Sequence, residues 1–260
     1  MTAYTHLQIR EVFHLEFLRW FIRKVKPEHY SLKGGVNLQL FFKSVRYSED
    51  MDIDVKTVSV NALVDAVLEI VKQRAFRSGL QSFGIKEVIL PDMAKAKQTV
   101  TTQRFKFHLL TAGGDDLFTK IEFSRRGLDQ GVVVESVPAQ ILRPYYSAPV
   151  LVSHYRADAA MAQKIKALAH RAVVQARDIF DIYTLIPQTP QDNMECVAAT
   201  VKQAYERVFQ VEFRQFRDAV AAYLSEDDRQ LYDSAKVWED VRLTVAGFLQ
   251  TILVKKHSDD

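Results

Sequence analysis

Two aspartates stand two residues apart, shortly after a pair of glycines, and their types and spacing indicate chemistry. Asp50 and Asp52 are predicted to begin a strand, where side chains two apart point to the same face. Two carboxylates on one face can hold Mg²⁺, a hard cation that prefers carboxylate oxygens together with substrate phosphates. The turn at Gly34 and Gly35 lets backbone N–H groups approach such phosphates. This layout indicates metal-dependent chemistry on a phosphate group.

A third carboxylate lies on a later predicted strand, residues 117–124, in which apolar and polar residues alternate. If that strand neighbours the first, Glu122 faces Asp50 and Asp52. Three such carboxylates can hold two Mg²⁺ about 4 Å apart and clamp an in-line phosphoryl displacement. Glu122 could also accept the proton of an attacking hydroxyl. Two alternatives stay open: Asp54, in phase with the aspartates, is the third ligand, or Glu122 is a solvent-facing residue paired with Lys120 or Arg104.

Charged residues of the second half of the chain form a further group. Lys164 and Arg171 are seven apart, share a helix face and could together hold a triphosphate. Asp178 and Asp181 open the next predicted helix and face together. The simpler interpretations are a surface lysine, a carboxylate favoured by the helix dipole at Asp178, and a structural role for Asp181. Arg46 either orients the acidic segment by ion pairing or contacts substrate.

The composition sets limits on the class of protein. The chain has 260 residues, of which 48% are hydrophobic, so it can bury a substantial core. Its single cysteine, Cys196, excludes an intramolecular disulfide and a zinc site built on cysteines. The net charge of +3 is too small to indicate nucleic-acid binding by itself. We see no signal peptide and no apolar run of about 18 residues, so no membrane partner and a cytoplasmic location are expected.

The pattern of elements changes along the chain. The first half predicts helices at 7–26, 38–42 and 61–76, and four or five strands drawn from 52–55, 86–90, 100–110, 117–124 and 131–137. The second half has little strand signal beyond 150–152. It predicts helices at 157–171, 175–186, 192–210, 213–224 and 235–255. The run between Pro144 and Pro149 breaks the pattern. We therefore predict two domains, 1–148 and 149–260.

An ordered set of residues between about 30 and 186 resembles a known family. The set comprises Lys33-Gly34-Gly35, Arg46-Tyr47-Ser48-Glu49-Asp50-Met51-Asp52, Lys120-Ile121-Glu122, Lys164, Arg171, Arg177-Asp178 and Asp181. Together it resembles the AbiEii-type nucleotidyltransferase toxins, which have the DNA polymerase β-like nucleotidyltransferase fold. The resemblance implies an α+β protein: an N-terminal nucleotidyltransferase domain with a mixed sheet flanked by helices, then a C-terminal helical domain that completes the active site.

The resemblance also implies an activity. Members are toxins of bacterial toxin–antitoxin pairs or phage-defence loci, so a cognate antitoxin encoded nearby is expected. The implied reaction is Mg²⁺-dependent transfer of NMP from an NTP to an acceptor hydroxyl, with the tRNA 3′ end as the expected acceptor. Two alternatives are a small-molecule or protein acceptor, and a non-catalytic module that only binds a nucleotide.

Site residues follow by position in the motifs. The implied metal ligands are Asp50, Asp52 and Glu122. Lys164 and Asp178 are the implied catalytic residues of the helical half. The nucleotide-binding residues are expected to be Gly34, Gly35, Ser48, Lys164 and Arg171. The chain departs from the family after the glycines, where Val36-Asn37-Leu38 lacks a hydroxyl that is common there.

Overall fold

The computed structural model describes residues 4–90, 92, 98–189 and 196–258. The chain divides into two compact units. The first comprises Met1–Phe41 and Tyr47–Tyr155, and the second comprises Phe42–Arg46 and Arg156–Asp260. The division at Tyr155 follows the last strand, whereas the predicted boundary after residue 148 precedes it. The short segment Phe42–Arg46 belongs with the helical second unit although it lies early in the sequence.

The first unit is built on a seven-stranded sheet. Its strands are β1 (Tyr30–Lys33), β2 (Asp50–Val55), β3 (Ile85–Ile89), β4 (Thr102–Thr111), β5 (Asp116–Ser124), β6 (Val132–Ser136) and β7 (Leu151–Tyr155). They lie in the order β3-β4-β5-β2-β1-β7-β6. The pairs β2–β5 and β1–β7 are parallel, and the remaining neighbours are antiparallel. The prediction of a mixed sheet is therefore confirmed.

The predicted count of four or five strands is too low. The strand β1 has only four residues and shows no alternation, because Tyr30, Ser31 and Leu32 are all buried. Central strands flanked on both faces carry such continuous buried runs, which periodicity alone does not identify. The strand β7 extends the weak signal at 150–152 and pairs with both β1 and β6. The alternating strands, β4 and β5, were predicted to within two residues at each end.

Helices of the first unit pack on this sheet and bury one aromatic core. They are α1 (His6–Phe21), α2 (Gly34–Phe41), α3 (Val60–Lys72), α4 (Arg74–Gln81) and α5 (Ala139–Leu142). The four-residue apolar spacing of α1 is confirmed, since Phe13, Phe17 and Phe21 are fully buried. Phe13 lies 5.5 Å from Phe107, and Phe21 lies 5.5 Å from Phe123, ring centre to ring centre. These contacts fix α1 against β4 and β5.

The second unit is helical, as predicted. Its helices are α6 (Ala157–His170), α7 (Ala176–Leu185), α8 (Ala198–Arg207), α9 (Phe213–Ala219), α10 (Glu226–Tyr232) and α11 (Ala235–Ser258). Phe216 and Trp238 stack 4.5 Å apart in its core, and Phe180 packs beside Phe216. The start of the helix predicted at 192–210 lies outside the described residues. Within the described ranges, no helix is both long and apolar enough to cross a bilayer.

Candidate active site

The register of the sheet brings three acidic residues together. In the parallel pair β2–β5, Asp50 lies opposite Lys120 and Asp52 lies opposite Glu122. Residues opposite each other on neighbouring strands point to the same face, as do residues two apart on one strand. Asp50, Asp52 and Glu122 therefore share one face of the sheet. The adjacency of β2 and β5, on which the grouping of these carboxylates depended, is present in the structure.

The two outer carboxylates of the group, Asp50 and Glu122, each form an ion pair with a cation. Lys120 Nζ lies 2.8 Å from Asp50 Oδ2, and Arg104 Nη2 lies 2.6 Å from Glu122 Oε2. The pairing of Glu122 with Arg104 is the contact that the simpler interpretation of Glu122 anticipated. Among the described residues, Asp50 Oδ1 is buried and has no hydrogen-bond partner. An unpartnered, buried carboxylate oxygen is energetically costly and favours a site where a cation can bind.

Asp52 lies at the centre of the group, half-buried between the other charges. Burial raises the pKa of Asp52 above its usual value, and the nearby charges of Glu122 and Asp50 raise it further. Lys33, opposite Asp52 on β1, and Lys120 act in the other direction. Crowding of carboxylates that repel one another is relieved by a bound cation. Repulsion from Glu122 and Asp50 is thus one contribution to the raised pKa of Asp52 beside burial, and a bound divalent ion would act against it.

The glycine turn supports Asp52 from the neighbouring strand. Gly34 begins α2 directly after β1 and has a φ of +69°, in the left-handed region that favours glycine. A β-carbon built on Gly34 would lie 2.9 Å from Asp52 Oδ2, which is closer than such atoms approach. Gly35 follows within the first turn of α2 and is buried. The first glycine is thus required both by its backbone conformation and by the position of the aspartate.

Two other residues of the predicted set have partners of their own. The Ser48 hydroxyl donates to the carbonyl oxygen of Asp50 over 2.7 Å. Asp54, the alternative third ligand, is buried and accepts hydrogen bonds from Lys33 and from the Tyr155 hydroxyl. Both carboxylate oxygens of Asp54 are engaged in these contacts. Asp54 therefore has the surroundings of a structural residue of the sheet.

The donor set of this face fits a hard divalent cation. Carboxylates are the ligands that Mg²⁺ prefers, and Asp50 Oδ1 is buried without a hydrogen-bond partner among the described residues. Within the described part of the chain, no three acidic, histidine or cysteine side chains are already arranged around a single ion position. The outer carboxylates, Asp50 and Glu122, are paired with Lys120 and Arg104 instead.

The second unit holds a separate buried network of charges. Asp178 and Asp181 lie on α7 and are fully buried. Lys164 Nζ, on α6, lies 2.6 Å from Asp181 Oδ2 and 3.5 Å from Asp178 Oδ1. Arg171 Nε lies 2.7 Å from Asp178 Oδ2. Arg46 approaches Asp181 through two nitrogens, with Nη2 at 2.9 Å from Oδ1.

Two cations in this network keep Asp181 ionised. Burial opposes ionisation of Asp181, yet the charges of Arg46 and Lys164 outweigh that effect and hold its pKa below the usual value. Asp181 is therefore an ionised, buried partner of two cations, in line with the structural role considered for it. The structure brings Lys164, Arg171 and Asp178 together in this unit, and Asp50, Asp52 and Glu122 together in the other.

Strand and helix periodicity does not identify several polar residues behind the acidic face, on the side of the sheet where α1 packs. They are Arg10, Glu11 and His14 of α1, Gln39 of α2 and Thr119 of β5. Glu11 and His14 are buried although both are ionisable. A signal was present in the sequence, because both fall among the apolar residues of the α1 stripe.

Comparisons with solved structures identify proteins of similar fold. JHP933 from Helicobacter pylori has a similar structure, with a TM-score of 0.60 and 18% identity over 99% of this chain and 96% of that chain. MenT4, a nucleotidyltransferase toxin from Mycobacterium tuberculosis H37Rv, has a TM-score of 0.54 and 16% identity over 94% of this chain and 84% of that chain. At such identities the likeness shows a shared fold. No curated protein sequence matches significantly.

A match of the sequence to a family model shows which family the chain belongs to. The family model described as nucleotidyl transferase AbiEii toxin, of type IV toxin–antitoxin systems, matches residues 16–246. That match covers most of both units and includes every residue of the acidic face and of the buried network. The chain therefore belongs to the AbiEii family of nucleotidyl transferase toxins, and the protein is a nucleotidyltransferase.

Proposed function

We propose that this nucleotidyltransferase holds two Mg²⁺ ions with Asp50, Asp52 and Glu122 while it transfers NMP from an NTP to an acceptor hydroxyl. The observation that supports the proposal is the parallel register of β2 and β5, in which Glu122 lies opposite Asp52. Bound Mg²⁺ would offset charge on the phosphates and on the attacking and leaving oxygens. Asp50 offers its unpartnered oxygen, and Lys120 and Arg104 orient the outer carboxylates.

The proposed reaction balances as a single displacement. The acceptor oxygen forms a bond to the α-phosphorus, and the bond from that phosphorus to the pyrophosphate oxygen breaks. Pyrophosphate leaves with the electron pair, and the proton of the acceptor hydroxyl passes to a carboxylate. Glu122 is the proposed acceptor of this proton, because it lies opposite Asp52 on the same face and is only partly buried.

The remaining predicted residues are proposed to bind the nucleotide. Gly34 and Gly35 are the first two residues of α2. The free backbone N–H groups at the start of a helix favour binding of an anionic phosphate. Ser48, whose hydroxyl contacts the Asp50 carbonyl oxygen, is also proposed to bind the nucleotide. Lys164 and Arg171 are proposed to bind the triphosphate. Asp178 supports that role, since it contacts both cations and restricts their orientation.

The acceptor that we propose is the 3′ end of tRNA. The toxin family membership supports a target whose modification stops growth, and loss of usable tRNA would have that effect. A cognate antitoxin is the proposed protein partner, in keeping with a family of type IV toxin–antitoxin systems. A role in phage defence is part of the same proposal.

Labelling of RNA tests the reaction directly. The purified protein is incubated with Mg²⁺, total tRNA and each α-labelled NTP in turn. We expect label at tRNA 3′ ends, which periodate oxidation of the tRNA beforehand should prevent. Asp52→Asn should lower the rate by at least about a thousandfold, because it removes a charge from the proposed metal site. The control is Asp65→Asn, at an exposed position of α3 outside the acidic face.

The outcomes separate the alternatives. Equal labelling by wild type and Asp52→Asn would contradict the proposed mechanism. Label on a protein or a small molecule, with none on RNA, would keep the chemistry and change the acceptor. NTP binding without any transfer would support a non-catalytic module. In bacteria, growth arrest by the wild type that disappears with Asp50→Asn or Asp52→Asn would connect toxicity to this face.

A further inference from the structure

The polar residues of α1 form a group that the proposed reaction does not use. Glu11 is 8% exposed and His14 is 1% exposed, and both lie on a helix whose other buried residues are apolar. Burying ionisable side chains lowers stability unless each has partners. The hydrogen-bond partners of Glu11 and His14 therefore indicate the role of this group.

Glu11 connects α1 to the segment Ser48–Asp50 through one intermediate. Gln39 Nε2 donates to Glu11 Oε1 over 2.8 Å, and the Tyr145 hydroxyl donates to Glu11 Oε2. Gln39 in turn accepts, through its Oε1, the backbone N–H of Ser48 at 3.3 Å. Because an amide side chain donates from one end and accepts at the other, Glu11 orients Gln39 to hold the Ser48 N–H.

His14 connects α1 to Glu49, the residue after Ser48, through Thr119. Its Nε2 lies 2.9 Å from Thr119 Oγ1, and the Thr119 hydroxyl donates to the Glu49 carbonyl oxygen over 2.7 Å. A hydroxyl has one proton, so Thr119 must accept from His14, which fixes the histidine as the Nε2–H tautomer. Burial, aided by the charge of Arg10, lowers the pKa of His14 to about 3, which keeps it neutral.

Arg10 supplies a third path on the same side of α1. Its Nε donates to the Phe118 carbonyl oxygen over 2.8 Å, and its Nη2 lies 3.6 Å from Glu49 Oε1. Phe118 and Thr119 immediately precede Lys120 on β5. The three paths thus end on two stretches of backbone, one leading into Asp50 and the other leading towards Glu122.

We infer that the polar side of α1 positions the acidic face, with Glu11 and His14 as positioning residues for the segment Ser48–Asp50. The inference rests on the proposed role of Asp50 and Asp52. The Ser48 N–H is bound by Gln39 and the Glu49 carbonyl by Thr119, and these two residues contact Glu11 and His14 of α1 respectively, so the backbone entering Asp50 has little freedom. Carboxylates held in advance need no ordering when metal and nucleotide bind, and positional errors near 1 Å can cost about a hundredfold in rate.

Substitution at Thr119 tests the inference, because this buried residue joins α1 to the segment without itself binding substrate. Thr119→Val keeps the shape and removes the hydroxyl, whereas Thr119→Ser keeps the hydroxyl. Hydrogen–deuterium exchange of the peptide that spans Ser48–Asp50 reports anchoring independently of activity. We expect exchange in Thr119→Val to rise about tenfold, the effect of losing one hydrogen bond, with Thr119→Ser close to wild type.

A second pair of variants follows the other path. Glu11→Leu removes the acceptor of Gln39, while Glu11→Gln can accept from Gln39 and donate to Tyr145. We expect faster exchange of the segment only in Glu11→Leu. For both disrupted variants, kcat for nucleotide transfer should fall about ten- to a hundredfold, with KM for the NTP little changed. Thermal unfolding confirms that each variant used is folded.

The possible results separate this inference from the proposed function. Unchanged exchange in Thr119→Val, or equal exchange in Thr119→Val and Thr119→Ser, would overturn the anchoring. Faster exchange with wild-type kcat would overturn the positioning role alone. A wild-type protein that transfers no nucleotide would overturn the proposed function and the positioning role together.

Discussion

Gly34 lies so close to Asp52 that a side chain at position 34 would have to displace the aspartate carboxylate. A β-carbon on Gly34 would stand 2.9 Å from Asp52 Oδ2, and the φ of Gly34 is +69°. The glycine is therefore required by the carboxylate as well as by the turn. Gly34 stands beside Asp52 because Lys33, the last residue of β1, pairs with Asp52 and directly precedes the glycine.

Replacing this glycine should disable the enzyme without unfolding it. Gly34→Ala must displace the Asp52 carboxylate, and the left-handed backbone costs alanine about 1–2 kcal/mol. We expect transfer activity to fall at least about a hundredfold, measured with labelled NTP, while circular dichroism stays native. Gly79→Ala is the matched control, because a β-carbon there meets nothing within 4 Å and its helix α4 should gain about 0.5–1 kcal/mol. Full activity in Gly34→Ala would contradict the role given to the contact.

The sequence predicted much of this face but not its surroundings. Carboxylates at positions 50, 52 and 122 follow from strand periodicity together with an ordered motif, and the pairing of β2 with β5 brings them together. The parallel register is a long-range property that periodicity within one strand does not contain. The pairing of Lys33 with Asp54 likewise depends on β1, a strand too short and too uniformly buried to be recognised.

The sequence patterns also do not predict the polar residues that are buried behind the acidic face. Glu11 and His14 fall within the apolar stripe of α1, but periodicity does not show which groups would satisfy polar side chains buried there. Their burial depends on Gln39, Thr119 and Tyr145, which come from distant parts of the chain. The break between α3 and α4 was missed for a related reason. Gln73 adopts an extended backbone there without any glycine or proline to signal it.

The ion pair of Arg46 and Asp181 should contribute strongly to stability. Both side chains are buried, and Arg46 Nη2 contacts both oxygens of Asp181, at 2.9 Å and 3.1 Å. Removing Arg46 leaves Asp181 buried with Lys164 as its remaining cation, so we expect Arg46→Met to lower the free energy of unfolding by about 1.5–3 kcal/mol in urea titrations. Arg156→Met is the control at an exposed pair with Asp158 and should cost less than about 1 kcal/mol. Similar losses in the two variants would show that the buried pair is not special.

Glu11 should make stability depend on pH in the neutral range. Burial, opposed by hydrogen bonds from Tyr145 and Gln39, raises the pKa of Glu11 to about 7. Burial also raises the pKa of Tyr145, so that it remains a neutral donor. In the unfolded chain, Glu11 ionises near its usual pKa of 4.5. Between these values the folded protein holds a proton that the unfolded chain has lost, so stability falls as pH rises.

Comparison with Glu11→Gln isolates this contribution. The amide cannot ionise and can keep both hydrogen bonds, so its unfolding free energy should lack this pH dependence. Relative to wild type, Glu11→Gln should gain up to about 3 kcal/mol between pH 5 and pH 8, read from urea titrations at each pH. Parallel pH curves for the two proteins would show that Glu11 has no raised pKa in the fold.

Glu122 and Asp54 should respond differently to loss of charge, because only one of them has its oxygens fully engaged. Asp54 accepts from Lys33 and Tyr155, so Asp54→Asn should lower stability by about 1–3 kcal/mol and leave measurable transfer in the folded protein. Glu122 is bound mainly by the half-exposed Arg104, so Glu122→Gln should change stability by less than about 1 kcal/mol. Its transfer rate should fall by at least about a thousandfold. Urea titration and NTP labelling on the same preparations decide the assignment. If Asp54→Asn abolished transfer while Glu122→Gln kept it, Asp54 would replace Glu122 as the third ligand.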